Sequence, residues 1–332
     1  MNIRNLRQLH ETAHERLEQA QYKNRIILIY AAVNICLSAL VTVITHILSQ
    51  QISKTGGLGN MGLRSVLSTA NFLLPILQNL VLLCLELGFL NAMIRMSRGL
   101  YTSPQSLRAG LPRFWVAIRC TLLLSFRYLL LGICSFYLAV MIFTLTPLSR
   151  EAVAILEPIL AQMTVMDTEL VLEEAVVTQL MGSMTSAFVI WGLLLLVTLV
   201  PVYYRYRLAN YILMDKPSYG ALMALGESKV LMRKKGFAMF KLDLSFWWYY
   251  LLVGVSVAIC YGDVILSLLG VTLPWSDTVS YFVFYGLFLA AQFALYYFFG
   301  NRVGITYALA YEALKPKEEH SNGVVLGSIF QT

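Results

Sequence analysis

A bundle of six transmembrane α-helices, with both chain termini in the cytoplasm, is the fold that the sequence predicts. Hydrophobic residues make up 58% of the 332 residues and charged residues only 13%. A soluble domain carries about a quarter charged residues, so the lipid bilayer is the expected solvent. The charges that remain gather between apolar stretches, which explains the net charge of +7 without any nucleic-acid partner.

Six apolar stretches are long enough to cross a membrane, because about 20 helical residues span its hydrocarbon core. They cover residues 26–48, 69–94, 120–146, 187–213, 242–269 and 279–299. We expect residues 26–314 to form one transmembrane domain. A cytoplasmic amphipathic helix over residues 1–25 precedes it, and a cytoplasmic tail over residues 315–332 follows it.

The distribution of basic residues predicts the orientation. Of the 25 Lys and Arg residues, twenty-one fall in segments expected on one side of the membrane and three on the other. Connectors rich in Lys and Arg stay in the cytoplasm, so the N-terminal segment, the second and fourth connectors and the C-terminal segment are expected there. The third connector is external, long and acidic, and its apolar spacing predicts a short surface helix.

The N-terminal segment predicts an amphipathic helix, because Leu6, Leu9, Ala13 and Leu17 recur every three or four residues. It contains the string H-E-x-x-H at residues 10–14. Two histidines at this spacing on a helix can bind zinc, with the glutamate as general base. Since the string precedes any scaffold that could enclose a metal, we expect a solvated helix face and neither a metal nor another cofactor.

Two charged residues lie inside apolar stretches, Glu86 in the second and Arg127 in the third. Counted from Arg95 and Arg119, each lies about 12–14 Å from the cytoplasmic boundary at 1.5 Å per helical residue. Ionisable groups within a membrane are costly and usually paired. We therefore predict a buried Glu86–Arg127 ion pair, either structural or part of a polar pathway.

Uncharged polar residues also lie within the spans. They are Asn34, Asn71, Gln78, Asn79 and Gln292. Such residues commonly join helices by hydrogen bonds. The alternative interpretation is that these residues line a substrate cavity, which would favour a transporter.

The fourth connector is the richest in motifs. Asp215 followed by Lys216 and Pro217 predicts the start of a helix, with Asp as N-cap and Pro in the first turn, running to Lys235. Further on, basic residues should meet the lipid headgroups of the inner leaflet and attract anionic lipid. These residues are Arg233, Lys234, Lys235 and Lys241.

Three strings of the fourth connector, residues 206–213, 227–232 and 240–246, carry a family resemblance. They resemble the 975 domain-of-unknown-function family of bacterial multi-pass membrane proteins. Ala13 and Leu17 of the N-terminal helix and residues 307–314 near the C-terminus are similar to the same family. The resemblance implies a bacterial cell-membrane location but no activity, because the family has no established one.

Apart from the H-E-x-x-H string, no catalytic or nucleotide-binding motif stands out in the chain. We therefore expect a non-enzymatic accessory or assembly component of the bacterial envelope, whose protein partner the sequence does not identify. A small-molecule or lipid transporter is the main alternative, since the second span is polar and the third and fifth spans begin with weakly similar strings. An intramembrane metal-dependent enzyme rests on the H-E-x-x-H string alone.

Overall fold

The structure is a computed structural model that describes residues 6–54, 61–147, 149–150, 153–154, 174–271 and 274–315. All of the regular elements in these residues are helical. The chain divides into two compact units: the larger unit combines Met1–Ala117 with Leu208–Thr332, and the smaller unit is Ile118–Arg207. The predicted all-α fold is therefore confirmed for the part of the chain that the structure describes.

Twelve α-helices and two helical segments of other types follow one another along the described residues. The α-helices are α1 (Leu6–Gln19), α2 (Lys23–Lys54), α3 (Met61–Ser97), α4 (Phe114–Thr144), α5 (Glu174–Tyr206), α6 (Ala209–Asp215), α7 (Ala221–Leu231), α8 (Gly236–Ser245), α9 (Trp247–Cys260), α10 (Gly262–Leu268), α11 (Asp277–Leu295) and α12 (Asn301–Leu314). A 3₁₀ segment, Pro104–Arg113, joins α3 to α4, and a π-helical segment, Tyr296–Gly300, joins α11 to α12.

Five helical stretches of the described chain are long and apolar enough to cross a membrane. They are Lys23–Lys54, Gly62–Ser97, Pro104–Thr144, Thr185–Asp215 and Thr278–Leu314. A sixth candidate is α8 together with α9, which meet at a 65° bend. The expected fifth span, residues 242–269, is therefore not one straight helix: it contains the end of α8, all of α9 and the short α10.

The core of the larger unit lies where α1, α3, α6 and α12 meet. The α1 helix buries Leu9, Ala13 and Leu17, three residues of the stripe that the sequence predicts. The main buried side chains of the other helices are Leu87, Met93, Ile94, Leu208, Ile212, Leu213, Ile305, Ala308 and Tyr311. By the predicted orientation, this core sits at the cytoplasmic ends of the spans.

The helical faces farther from this core expose large apolar side chains. Leu40 on α2 is 57% exposed, and Leu287 on α11 is 53% exposed. Lipid tails are as apolar as leucine, so such faces are stable in a bilayer. The tight packing of the larger unit is thus concentrated at one end of its apolar helices.

Two glycines allow the 3₁₀ segment to pack directly on the backbone of α3. A Cβ atom on Gly88 of α3 would overlap the backbone of Leu107, and one on Gly110 would overlap the carbonyl group of Cys84. Cys84 and Gly88 are one turn apart, so the two contacts are reciprocal and adjacent. Close backbone approach at small residues is a common way to join helices in membranes. It fixes the start of the second connector against α3.

Three expectations lie outside the described residues. The glycine-rich part of the first external connector falls in residues 55–60, and the short surface helix of the third falls mostly in residues 151–173. The cytoplasmic tail begins at Lys315, and its residues 316–332 are likewise not described.

We predict that Gly88→Ala or Gly110→Ala destabilises the protein by about 1–3 kcal/mol, because the added methyl group meets backbone atoms that cannot turn aside. Gly254→Ala in α9 is the matched control, since nothing lies within 4 Å of a Cβ atom there. Thermal unfolding of the purified protein in detergent measures the difference. Equal melting temperatures for the three variants would contradict the close approach.

Candidate functional site

A cluster of charged side chains lies where the ends of α3, α6 and α12 meet, beside the core of the larger unit. Arg98, just past the end of α3, donates to Glu312 of α12 at 2.7 Å and also contacts Asp215 at the end of α6. Lys315 contacts the other carboxylate oxygen of Asp215, and Tyr311 donates its hydroxyl proton to the same oxygen at 2.9 Å. We call these five residues the Asp215 cluster.

The Asp215 cluster is balanced in charge. Two cations face two carboxylates, and the side chain of Asp215 retains only 7% exposure. Removing one partner of such a group leaves an uncompensated charge, which costs about 3–5 kcal/mol when the pair is fully buried. The cluster therefore fixes the ends of α3, α6 and α12 relative to one another.

Arg113 holds the chain that follows α6. Its guanidinium group donates to the carbonyl oxygens of Leu213 at 3.1 Å, Lys216 at 3.2 Å and Tyr219 at 2.8 Å, and it also contacts the carbonyl of Pro217. The last carbonyls of a helix lack partners within the helix, and a cation is favoured there. Arg113 thus ends α6 and shapes the turn into α7.

A second ion pair fixes α7 to the same turn. The Lys216 ammonium group donates to Glu227 at 2.7 Å and lies 4.8 Å from the centre of the Tyr219 ring. The hydrogen bond to Glu227 raises the pKa of Lys216 above its ordinary value. Lys216 therefore remains charged at physiological pH, and α7 stays attached to the end of α6.

The α12 helix also holds the far end of the fourth connector. Tyr307, one turn before Tyr311, donates its hydroxyl proton to Asp243 of α8. The hydroxyl groups of Tyr307 and Tyr250 lie 2.9 Å apart. Two tyrosines one turn apart on α12 thus bind two aspartates, one on each side of the connector.

The residues of the H-E-x-x-H string are engaged with separate neighbours. His10 Nε2 lies 3.1 Å from the Ser245 hydroxyl, Glu11 pairs with Arg7 at 2.9 Å, and His14 lies 3.3 Å from Glu18. Among the described residues, no group of three His, Cys, Asp or Glu side chains is placed to hold a metal ion. The string lies beside a cavity between α1 and the bend that precedes α9.

Glu86 and Arg127 belong to different compact units, so their pairing stays a prediction. In the larger unit, Glu86 is exposed and interacts electrostatically with Tyr30 and Tyr296. In the smaller unit, Arg127 lies 4.7 Å from the centre of the Tyr206 ring, and its buried Nη1 atom has no hydrogen-bond partner. Each charge therefore has an aromatic neighbour in its own unit.

Most of the polar residues that the sequence places inside the bundle join helices in the larger unit. Gln78 donates to Ser38 at 3.0 Å and Asn71 to Ser49 at 3.4 Å, both across α2 and α3. Gln292 donates to Ser256 at 2.7 Å, from α11 to α9. The other two residues bond within their own helices: Asn79 with the carbonyl of Pro75 and Asn34 with Tyr30.

The basic residues expected at the lipid headgroups lie on the surface around α8. All four, Arg233, Lys234, Lys235 and Lys241, are exposed. The Lys241 ammonium group lies 5.0 Å from the ring centre of Phe237, which is itself 68% exposed. Their contact with anionic lipid stays a prediction.

The interpretation of Asp215 as the start of a helix is wrong. Asp215 is the last residue of α6, and α7 begins at Ala221 with Gly220 as its N-cap and ends at Leu231. Asp and Pro are typical of helix starts, but here a long-range partner, Arg113, satisfies the carbonyls that end α6.

The Asp215 cluster and the role of Arg113 were not predicted from the sequence. All of these residues lie in segments expected on the cytoplasmic side, which is consistent with contacts among them. That location does not single them out, because most of the basic residues of the chain lie in the same segments.

The helices and charge pattern together define a helical multi-pass membrane protein. Within that class, the chain belongs to the family of proteins of unknown function DUF975, whose family model matches residues 1–292. This confirms the resemblance seen in the fourth connector. The match ends before α12, which supplies Tyr307, Tyr311 and Glu312. Searches of curated proteins and of solved structures return no match.

We predict that Arg113→Gln lowers the free energy of unfolding by about 2–3 kcal/mol, because several carbonyl groups lose a charged donor. Limited proteolysis between α6 and α7 should accelerate in the same variant. Arg113→Lys should not restore stability, since an ammonium group cannot donate in the planar fork of a guanidinium.

The control for Arg113 is Arg108→Gln, which changes an exposed arginine of the same 3₁₀ segment. It removes the same charge without touching the carbonyls after α6. Equal loss of stability in the Arg108 and Arg113 variants would show that charge alone matters and would contradict the capping role.

Proposed function

We propose that this chain is a non-enzymatic component of the bacterial cell membrane that assists the assembly or operation of another membrane protein. It crosses the membrane six times, with both termini and the fourth connector in the cytoplasm. The 21-to-3 division of basic residues supports this orientation. The bent pair α8–α9 then supplies the fifth crossing.

The observation that carries the proposal is an apolar surface on α7 that is held rigidly. Leu222, Met223 and Val230 are 67%, 62% and 69% exposed, while Ala224 and Leu225 on the opposite face are buried. We call the three exposed residues the α7 stripe. Exposed apolar residues gathered on one face are typical of surfaces that bind a protein partner or a membrane.

The contacts around the α7 stripe support a binding role. Arg113, the Lys216–Glu227 pair and the Asp215 cluster fix α6 and α7 from three directions. A surface held in one conformation loses little conformational entropy when it binds. The connector is thus suited to present a fixed surface to a partner protein in the same membrane.

Transport is the second candidate function. The observation that favours it is Glu86, an exposed carboxylate on an apolar span. Ionisable residues in such positions mark ion or substrate pathways in many transporters. The hydrogen bonds that Gln78, Asn71 and Gln292 form between helices support the accessory role instead. These polar side chains join helices and are therefore not available to bind a substrate in a cavity.

Photo-crosslinking in living cells tests the accessory role. A photoreactive amino acid replaces Leu222 or Val230, and a matched control replaces Leu287, an exposed apolar residue of a membrane span. We expect a discrete protein adduct from positions 222 and 230 and only lipid adducts from position 287. Mass spectrometry of the shifted band identifies the partner.

Lipid adducts alone at all three positions would contradict the proposed role. The Arg113→Gln variant gives a further check, since it should weaken the adduct at position 222 by loosening α7. An adduct of unchanged yield in that variant would show that the rigid attachment of the connector is not needed for binding.

A further inference from the structure

A cavity of about 630 Å³ lies between α1, the bend before α9 and the start of α12. This volume falls within the usual range of pockets for small ligands, about 300–1,000 Å³. Arg7, His10 and His14 line it from α1, and Ser245 and Arg302 line it from the other elements. We call it the α1 cavity.

The charges around the α1 cavity favour an anion. Glu11 is its one acidic lining residue, and its carboxylate already accepts a hydrogen bond from Arg7 at 2.9 Å. Arg302 is exposed and forms no ion pair among the described residues. The cavity therefore holds an arginine without a counter-ion beside an arginine that is already paired.

The hydrogen bonds of His10 leave a second group without a partner. Ser245 donates its hydroxyl proton to the carbonyl of Leu242 at 2.6 Å, so its oxygen accepts from His10 Nε2 at 3.1 Å. In the neutral ring, the proton is then on Nε2, and Nδ1 is a bare acceptor. Nδ1 is buried, and none of the described residues forms a hydrogen bond with it. Protonation would convert it into a donor.

The cavity as it stands disfavours that protonation. Burial, and then the charge of Arg302, lower the pKa of His10 below its ordinary value. An anion beside Arg302 would offset the charge of the arginine and so favour the protonated ring. The unpaired arginine and the neighbouring imidazole ring thus favour the same kind of ligand.

The aromatic residues that line the cavity, and the positions of the lining residues along the chain, restrict the class of ligand further. Phe246 and Trp248 line the cavity near the start of the expected fifth span, residues 242–269, and Arg302 follows the end of the expected sixth, residues 279–299. Aromatic and basic residues together at span ends are typical of the headgroup layer of a membrane. A phosphate group carried by a lipid matches both the depth and the charge.

We propose that the α1 cavity binds a phosphate group, of a phospholipid headgroup or of a free phosphate, through Arg302 and Arg7. This site is separate from the basic surface around α8. It does not depend on the accessory role, because a transporter with the same cavity would bind the same group.

The test uses the purified full-length chain in detergent, with native mass spectrometry to count retained lipids. Phosphatidylglycerol is the probe, diacylglycerol, which lacks a phosphate group, is the comparison lipid, and inorganic phosphate is the competitor. We expect Arg302→Gln to weaken phosphatidylglycerol binding by about tenfold, since one charge-assisted contact to phosphate is lost. Arg302→Lys should retain more binding than Arg302→Gln, because it keeps the charge.

The control is Arg108→Gln, which removes an exposed charge from the 3₁₀ segment and should leave binding within about twofold. Melting temperatures establish that each variant is folded. Displacement of the lipid by inorganic phosphate would assign the site to free phosphate, and retention of the lipid would assign it to the headgroup. Equal binding by the native protein and Arg302→Gln, or equal binding of both lipids, would overturn the proposal.

Discussion

The carboxylate of Asp215 is the interaction on which the rest of the larger unit depends. Two distant stretches of chain reach it: Arg98 lies just past the end of α3, and Tyr311 and Lys315 lie at the end of α12. A carboxylate with so little exposure is stable only when its lone pairs are met by donors. Bringing these donors together requires that the end of α3 and the end of α12 meet beside α6.

Once α6 is fixed there, the neighbouring contacts follow. Arg113 can reach the carbonyls after α6 only because Gly88 and Gly110 let the 3₁₀ segment approach α3 closely. The turn that Arg113 holds places Lys216 beside Glu227 and so orients α7. The orientation of α7 and the position of α12 therefore depend on the buried carboxylate of Asp215 and on the backbone contact at Gly88 and Gly110.

The sequence was most informative where a property is averaged over many residues. Apolar length predicted the helices, and the repeat of Leu9, Ala13 and Leu17 predicted the buried face of α1. It was least informative at the ends of the connector helices. Asp215 and Pro217 look locally like a helix start, but the structure ends a helix there because Arg113, a hundred residues earlier, satisfies its carbonyls. The bend in the fifth span was not predicted, because the mostly apolar composition of residues 242–269 carries no signal for the 65° turn between α8 and α9.

A double-mutant cycle between Arg98 and Asp215 tests the central role of the cluster most directly. The free energy of unfolding is measured for Arg98→Gln, Asp215→Asn and the combination of both. Each single change leaves an unbalanced charge, whereas the double change restores neutrality. The double variant should therefore be more stable than the sum of the single effects predicts, by about 1–3 kcal/mol. Strictly additive losses would contradict a direct pairing of the two residues, and with it the central role of the Asp215 cluster in joining α3, α6 and α12.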